Sequence, residues 1–351
     1  MIGGLLAEMD ELLCFFSKNQ PRRPAVIRQV LSNKRTVSNL FWGLRYKILD
    51  WLAICPQLER EKFDNLIAAM VQNKLLAEIN GQGLCLTELG ARRRDNFAEI
   101  HYHMKSPYLF SRFKVQLWQD ILRLLVQIVS EASYGNTHYY VVASSFQARD
   151  SIKKWYQDYH ECELGQLLSE QLLLFLKNES ADDATIFMQL FYGHEYVAKT
   201  AEQIAVNTGW STRDIEVLWN DLSVKFADFL CEGTSIFKVL VIPLKKTGLL
   251  SKSATETYRL YASGMTVAKI KSVRGLKEST VAEHLLEAAI FVPNFNFKRL
   301  ISPLEYSIFS KLFKGNIDNW HYEKLQETEP KISFTKFRLY QIEQSKLEMV
   351  E

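Results

Sequence analysis

The chain has 351 residues, 43 Lys and Arg against 40 Asp and Glu, and a formal charge of +3. This length predicts two or three domains with a core in each, and the near-neutral balance excludes binding to a polyanion through a protein-wide field. The 47% hydrophobic and 24% charged fractions are ordinary for a soluble protein. No apolar run reaches the roughly 18 residues that would suggest a membrane span.

The amino end, MIGGLLAEMDELLCFF, carries Glu8, Asp10 and Glu11 and lacks a basic region. It reads as a helix over about 5–16 rather than a signal peptide, so a cytoplasmic location is expected. A basic segment follows, and then a helix over 37–52. Pro56 opens a unit with Phe63, Leu66, Ile67 and Met70 on one apolar face. Residues 75–79, the turn Asn80-Gly81-Gln82-Gly83 and residues 84–86 give a hairpin signal, because Asn-Gly accepts the positive φ of a tight turn. Helices followed by a short hairpin describe a winged helix. Gly81 and Gly83 do not form a phosphate loop, since no strand-to-helix transition surrounds them. The wing has no Lys or Arg, although Arg92, Arg93 and Arg94 follow, so scaffold and DNA-gripping roles both stay open.

Residues 101–195 read as largely helical. Leu117, Ile121, Leu124, Leu125 and Ile128 form one stripe. Residues 139–143 suggest an extended connection before a helix carrying Ile152 and Trp155. The segment 164–176 is apolar on most sides and is expected inside the protein. The aromatic residues of this region are read as core rather than as a base-stacking platform.

The most informative stretch is 251–290, SKSATETYRLYASGMTVAKIKSVRGLKESTVAEHLLEAAI. Gly264 stops a support helix, and Thr266 caps a short second helix carrying Val267, Ile270 and Val273 inward. Arg274-Gly275-Leu276 makes the turn, where glycine tolerates a left-handed backbone. A third helix follows with Val281, Leu285 and Ala288 on its buried face. Shifting the chain by 66 residues brings Thr200, Ile204, Gly209, Trp210, Ile215 and Trp219 onto Thr266, Ile270, Gly275, Leu276, Val281 and Leu285. A second helix-turn-helix is therefore expected over 200–222, with Ser211 capping its last helix. A linker over 242–248 separates the two. Pro293, Pro303 and Pro330 punctuate the rest, Ser333 is placed as the cap of a last helix, and 345–351 are expected to fray.

Charge is clustered. Residues 21–49 hold seven basic side chains and no acid, and 235–277 hold nine against Glu256 alone, whereas 158–183 carry seven acids and only Lys177. Such runs are often plain solvated faces. The five cysteines, Cys14, Cys55, Cys85, Cys162 and Cys231, are scattered in apolar contexts without a CxxC, which predicts buried free thiols in a reducing compartment.

No Walker loop, nucleophile elbow, HExxH or aspartate-rich metal cluster is present. His101-Tyr102-His103 lacks a nearby cysteine to complete a metal site. The reading is of a non-enzymatic protein with no cofactor or metal.

The candidate nucleic-acid-binding residues are Thr266, Lys269, Lys271, Arg274, Lys277, Ser279, Thr280, Glu283 and His284. The basic members are read as phosphate contacts, and Thr266 and Thr280 as hydroxyl or amide contacts at helix starts. With Val281 at the centre of the buried face, a 100° advance per residue turns Ser279, Ala282, Glu283 and Leu286 outward. That face holds no base-reading arginine, although Glu283 is able to accept from a cytosine amino group. The expectation is weak, largely non-specific, salt-sensitive binding. The competing reading is an adaptor that docks a protein through Ala282 and Leu286.

TETYRLYASGMTVAKIKSVRGLKESTVAEHLLEAAI resembles the helicase helix-turn-helix domain near the C-terminus of some RecQ-type DNA helicases. The positions that carry the likeness are Leu260, Gly264, Thr266, Ile270, Arg274, Gly275, Leu276, Ser279, Thr280, Val281, His284 and Leu285, with 332–339 (ISFTKFRL) similar to its closing element. Lys271 and Lys277 depart from it, standing where a small or acidic residue and a capping Ser are usual. The layout without an ATPase motor is similar to the bacterial YpbB-like family, whose members are associated with a RecQ-type helicase. The resemblance implies a helicase accessory in DNA repair or recombination, with a RecQ-type helicase and DNA as partners. The alternative is a stand-alone transcription regulator. The expected fold is mostly α: a winged-helix-like domain (1–95), a helical middle domain (96–242) with the unit at 200–222, and a C-terminal helix-turn-helix domain (247–344).

Overall fold

The computed structural model describes residues 9–142, 144–246 and 248–349. In chain order the helices are α1 Met9–Leu13, α2 Pro24–Leu31, α3 Val37–Arg45 and α4 Arg60–Gln72. The hairpin β1 Leu76–Ile79 and β2 Gly83–Leu86 follows. Next come α5 Glu88–Ile100, α6 Val115–Ser133, α7 Phe146–Tyr159, α8 Leu164–Leu176, α9 Ala181–Gln189, α10 Ala201–Thr208, α11 Thr212–Glu232 and α12 Lys238–Val241. The chain closes with α13 Lys252–Ala262, α14 Val267–Arg274, α15 Glu278–Phe291, α16 Pro303–Leu312, α17 Tyr322–Thr328 and α18 Phe334–Leu347. The fold is mostly helical, as expected. Short hydroxyl side chains set many of the starts. Thr36, Thr87, Ser145, Ser180, Thr200, Ser211, Ser251, Thr266 and Ser302 each accept a bond from the N–H three residues on, satisfying a donor that has no partner in the helix. Ser333 precedes α18 but makes no such bond.

The chain divides into two compact units, and the division differs from the three-domain expectation. The first runs up to Arg22 and resumes over Asp50–Lys246. The second joins Arg23–Leu49 to the segment from Thr247 to the end.

In the first unit, β1 and β2 pair antiparallel, with Leu76 opposite Leu86 and Ile79 opposite Gly83. Asn80 (φ 46°) and Gly81 (φ 70°) form the tight turn, as the Asn-Gly pair predicts. Arg22 bridges to Leu84 and widens the hairpin, with N···O distances of 2.9 Å in both directions. Helices α4 and α5 pack against this hairpin, and α1 packs on those two helices. Helix α11 runs through the core with Ile215, Leu218, Leu222, Phe226 and Leu230 fully buried. Asp221 on α11 is sealed from solvent and accepts from Tyr102 Oη, Lys105 N and Ser106 N, each at 2.9 Å, so it clamps the segment after α5. Burial pushes its carboxyl pKa up, while those three donors oppose the shift.

Helix α8 corrects its sequence reading. Leu164, Leu168, Leu172 and Phe175 are buried, but Leu173 and Leu174 face solvent, so only one stripe of the leucines meets the core. The cysteine expectation is also corrected in part: Cys14 and Cys162 are exposed, and Cys55, Cys85 and Cys231 are buried and free.

In the second unit, α13, α14 and α15 form a three-helix core, with α3 and α18 packed on α15. Residues 23–49 join this unit because their apolar face, Val26, Ile27, Val30, Leu40, Phe41 and Leu44, is buried there. Their cations also find acids that the local sequence lacks. Arg35 Nη2 lies 2.9 Å from Glu287, and Arg45 meets Asp318 at 2.6 Å and Glu348 at 2.5 Å. Glu287 further accepts from Ser251 N at 2.7 Å and Ser251 Oγ at 3.0 Å. Lys346 on α18 donates to the carbonyls of Ala289 and Val292 at 2.6 Å each, capping the end of α15.

Helix α3 stops at Arg45, where the chain turns through a positive φ at Lys47, so the expected helix over 37–52 is shorter. Helix α18 continues to Leu347 with Ser345 buried, so the expected fraying from 345 is corrected there, and 350 and 351 lie outside the described residues. The expected first helix is described only from Met9, and Ala143 of the extended connection lies outside as well.

Candidate nucleic-acid interface

The corner between α14 and α15 is built from four local devices. Thr266 Oγ1 accepts from Lys269 N at 3.3 Å and starts α14. Ile270, Val281 and Leu285 are buried and hold the two helices together. Gly275 ends α14 at φ 62°, ψ 30°, a left-handed conformation that a side chain would strain. Leu276 N then reaches back to Lys271 O at 3.2 Å. The opposite helix start is weaker: Lys277 occupies the N-cap of α15 and makes no side-chain cap bond.

The nine candidate residues separate into an outward and an inward group. Thr266, Lys269, Lys271, Lys277, Ser279 and Glu283 are exposed, and Thr280 is half-buried. Lys269 and Lys277 make no ion pair among the described residues, whereas Lys271 Nζ lies 3.7 Å from the exposed carboxylate of Glu278. Arg274 turns inward. It donates to Ser253 O at 2.6 Å, to Ser253 Oγ at 3.3 Å, to Thr257 Oγ1, and to Glu256 at 2.9 Å. Thr257 is fully buried and its hydroxyl lies 2.9 Å from His284 Nδ1. Thr257 Oγ1 accepts from Arg274, and its second lone pair or its proton serves His284 Nδ1 according to the imidazole tautomer. Burial first, and the Arg274 charge second, hold His284 below the ordinary histidine range. Arg274 and His284 therefore anchor α13 to the corner and are not free phosphate contacts.

Two facing predictions are also corrected. Val273, expected inward, is 56% exposed, and Leu286, expected outward, is 4% exposed. Helix α15 is covered on more than one side, by α13 and α14 and also by α3 and α18, so Leu286 through Ile290 are buried in succession. The adaptor reading loses its exposed Leu286.

The repeat is a structural one, found in the first unit. Thr200 and Ser211 form capping boxes with Gln203 and Asp214, and Gly209 is left-handed at φ 74°, ψ 2°. Ile204, Ile215 and Trp219 are buried. No basic residue lies on α10, and Arg213 at the start of α11 is held by Glu11 at 2.6 Å and Glu216 at 3.3 Å. This corner is a packing unit. His101 and His103 lie on the irregular segment after α5. His101 Nδ1 sits 3.1 Å from Asp214, and no group of three or more metal-ligating side chains occurs among the described residues. Arg93 and Arg94 near the wing are paired with Asp10 and Asp95.

Sequence reading missed an aromatic and arginine patch in the second unit, formed by Arg23, Phe41, Trp42, Phe334 and Arg338. The acid-free run over 21–49 was its visible trace.

The capped second helix, glycine corner and buried triad define a mostly helical protein with a C-terminal helix-turn-helix domain, and residues 253–341 match the family model described as a helix-turn-helix domain. Over 206 residues the chain is 24% identical to Protein YpbB of Bacillus subtilis (strain 168), a similarity covering 57% of this chain and 58% of that protein. The likeness thus spans less than two thirds of the relative's own length. No solved structure matches the chain. Among the described residues, no helix is long and apolar enough to cross a membrane.

Proposed function

We propose that this chain is a non-catalytic DNA-binding accessory of a RecQ-type helicase, acting in repair or recombination. The observation that carries the DNA part is the corner itself: Lys269 and Lys277 stand exposed and unpaired on a helix-turn-helix held by the left-handed Gly275. Two to three contacts from this face would give a log–log salt slope of roughly −2 to −3. Removing Arg274 from the set of free cations makes that contribution shallower than four lysine and arginine contacts would give. The helicase part is supported by the resemblance carried by Gly264, Thr266, Ile270, Arg274, Gly275, Val281 and Leu285, and by the similarity to YpbB.

A stand-alone regulator reading a defined operator is disfavoured. The exposed side of α15 presents Glu278, Ser279 and Glu283, without the arginine, asparagine or glutamine that reads base edges in the major groove. Affinity purification from native lysate, with and without nuclease, tests the proposal. Recovery of a helicase that survives nuclease supports it. Absence of a helicase from both samples, together with a twofold footprint on one operator, would refute it.

A further inference from the structure

The second unit holds eight arginines, and half of them are matched within it. Arg35, Arg45 and Arg274 each meet a carboxylate, and Arg299 donates to the carbonyls of Tyr261 and Met265. Arg28, Arg259, Arg23, just ahead of α2, and Arg338, on α18, meet no acid among the described residues, and of these Arg23 and Arg338 lie over aromatic rings. The Arg338 guanidinium carbon lies 3.9 Å from the Phe41 ring centroid and 5.0 Å from that of Phe334, and its buried Nε has no hydrogen-bond partner. The Arg23 guanidinium lies 4.3 Å from the Trp42 ring. Phe41 and Trp42 are neighbours with centroids 5.5 Å apart, so both cations lie on one aromatic patch.

The two positive charges also sense each other. Burial first, and the charge of Arg23 second, pull the Arg338 pKa down to about 10. An unpaired, desolvated cation beside a like charge costs folding free energy, and stacking on rings offsets only about 0.5–2 kcal/mol of it. Arg23 reaches the Tyr46 hydroxyl, so what both arginines lack is a counter-charge, which an anion would supply. A guanidinium laid on a ring has its plane fixed and keeps an edge for two parallel N–H···O bonds, the geometry that suits a phosphate. Phe334 is 43% exposed beside Arg338, so part of its ring meets solvent next to the charge. Ring and arginine together are the combination that holds a strand with unpaired bases.

We propose that Arg23 and Arg338, seated on Phe41, Trp42 and Phe334, form a phosphodiester-binding site for single-stranded nucleic acid, with the Phe334 ring stacking on a base. The proposal deepens the nucleic-acid reading above and rests on it for the choice of a nucleic acid over another phosphate. It adds a site on helices outside the α14–α15 corner.

The test uses the full chain and fluorescence anisotropy with a labelled single-stranded oligonucleotide and the matching duplex. Arg23→Gln with Arg338→Gln is expected to weaken single-strand binding about ten- to a hundredfold, by loss of charge-assisted bonds. The salt slope should become shallower by about 1.4 for two lost contacts on a single strand. Arg23→Gln alone, at an exposed position, should give half that change without harming the fold. Arg338→Met should keep or raise the melting temperature while weakening binding, because it removes a half-buried charge that meets no acid. Phe334→Ala should weaken the single strand more than the duplex. Unchanged single-strand affinity and slope in the arginine double variant overturn the site, and a simultaneous loss in Lys269→Ala with Lys277→Ala leaves the corner reading standing alone. The reverse pattern supports the site and overturns the corner. Equal losses on strand and duplex overturn the single-strand assignment. Stabilisation by inorganic phosphate equal to that by oligonucleotide overturns the nucleic-acid assignment, and a wild type that binds neither oligonucleotide overturns both.

Discussion

Arg274→Ala separates an anchor from a phosphate contact. Its four bonds reach Ser253 O, Ser253 Oγ, Thr257 Oγ1 and Glu256, and its side chain is only 12% exposed. Glu256 lies largely in solvent, so that ion pair is worth about 0–1 kcal/mol. The bonds to Ser253 O and the buried Thr257 come from a charged donor, and such bonds are worth roughly 1.5–3 kcal/mol each. Water entering the vacated space recovers part of this, so the expected loss is about 3 kcal/mol. For a unit of this size that is on the order of 10 °C in melting temperature. Scanning calorimetry of the full chain measures it, with Lys269→Ala as the comparison. The lysine variant should stay within about 0.5 kcal/mol of wild type while its duplex salt slope falls by about 0.9. An Arg274→Ala protein with unchanged melting and the lysine-like loss of slope would show that the arginine faces a ligand.

Three other outcomes follow from the same unit. Lys277→Ser supplies the missing N-cap of α15 and should stabilise by about 0.5–2 kcal/mol in urea titration, while the salt slope becomes shallower by about 0.9. His284 has a depressed folded pKa, so its contribution is full above the unfolded value of about 6.5 and is lost as pH falls through the folded value. Urea midpoints measured from pH 7 to about pH 5 should therefore fall in wild type and flatten in His284→Gln, whose amide oxygen still accepts from Thr257. Arg35→Ala leaves Glu287 buried with only Ser251 as partner and should cost about 3 kcal/mol, part of it restored by adding Glu287→Gln. A double-mutant cycle by chemical denaturation checks the coupling.

Local chemistry was legible in the sequence. The cap at Thr266, the left-handed Gly275 and the buried Ile270, Val281 and Leu285 depend on neighbours within one or two turns, and each stands where its residue type predicts. The same holds for the Asn80-Gly81 turn and the repeated corner at Thr200 and Gly209. What failed needed partners far along the chain. Periodicity assigns a helix one buried face, but α15 is covered by α3 and α18 as well, so Leu286 is sealed and Glu287 binds Arg35. Arg274 and His284 stand among the candidate nucleic-acid contacts because their shared partner, Thr257, lies on the helix before the corner. Residues 23–49 read as part of the N-terminal hairpin region, whereas the acids that match Arg35 and Arg45 are Glu287, Asp318 and Glu348. No window of sequence shows that pairing.

The salt dependence of DNA binding by Lys269→Ala with Lys277→Ala tests the account most directly. Both side chains are exposed and unpaired, so the fold should be unaffected. The log–log slope on duplex DNA should become shallower than wild type by about 1.8, for two lost phosphate contacts. A slope identical to wild type, in a variant that unfolds at the same temperature, would contradict the claim that the glycine-held corner contacts nucleic acid.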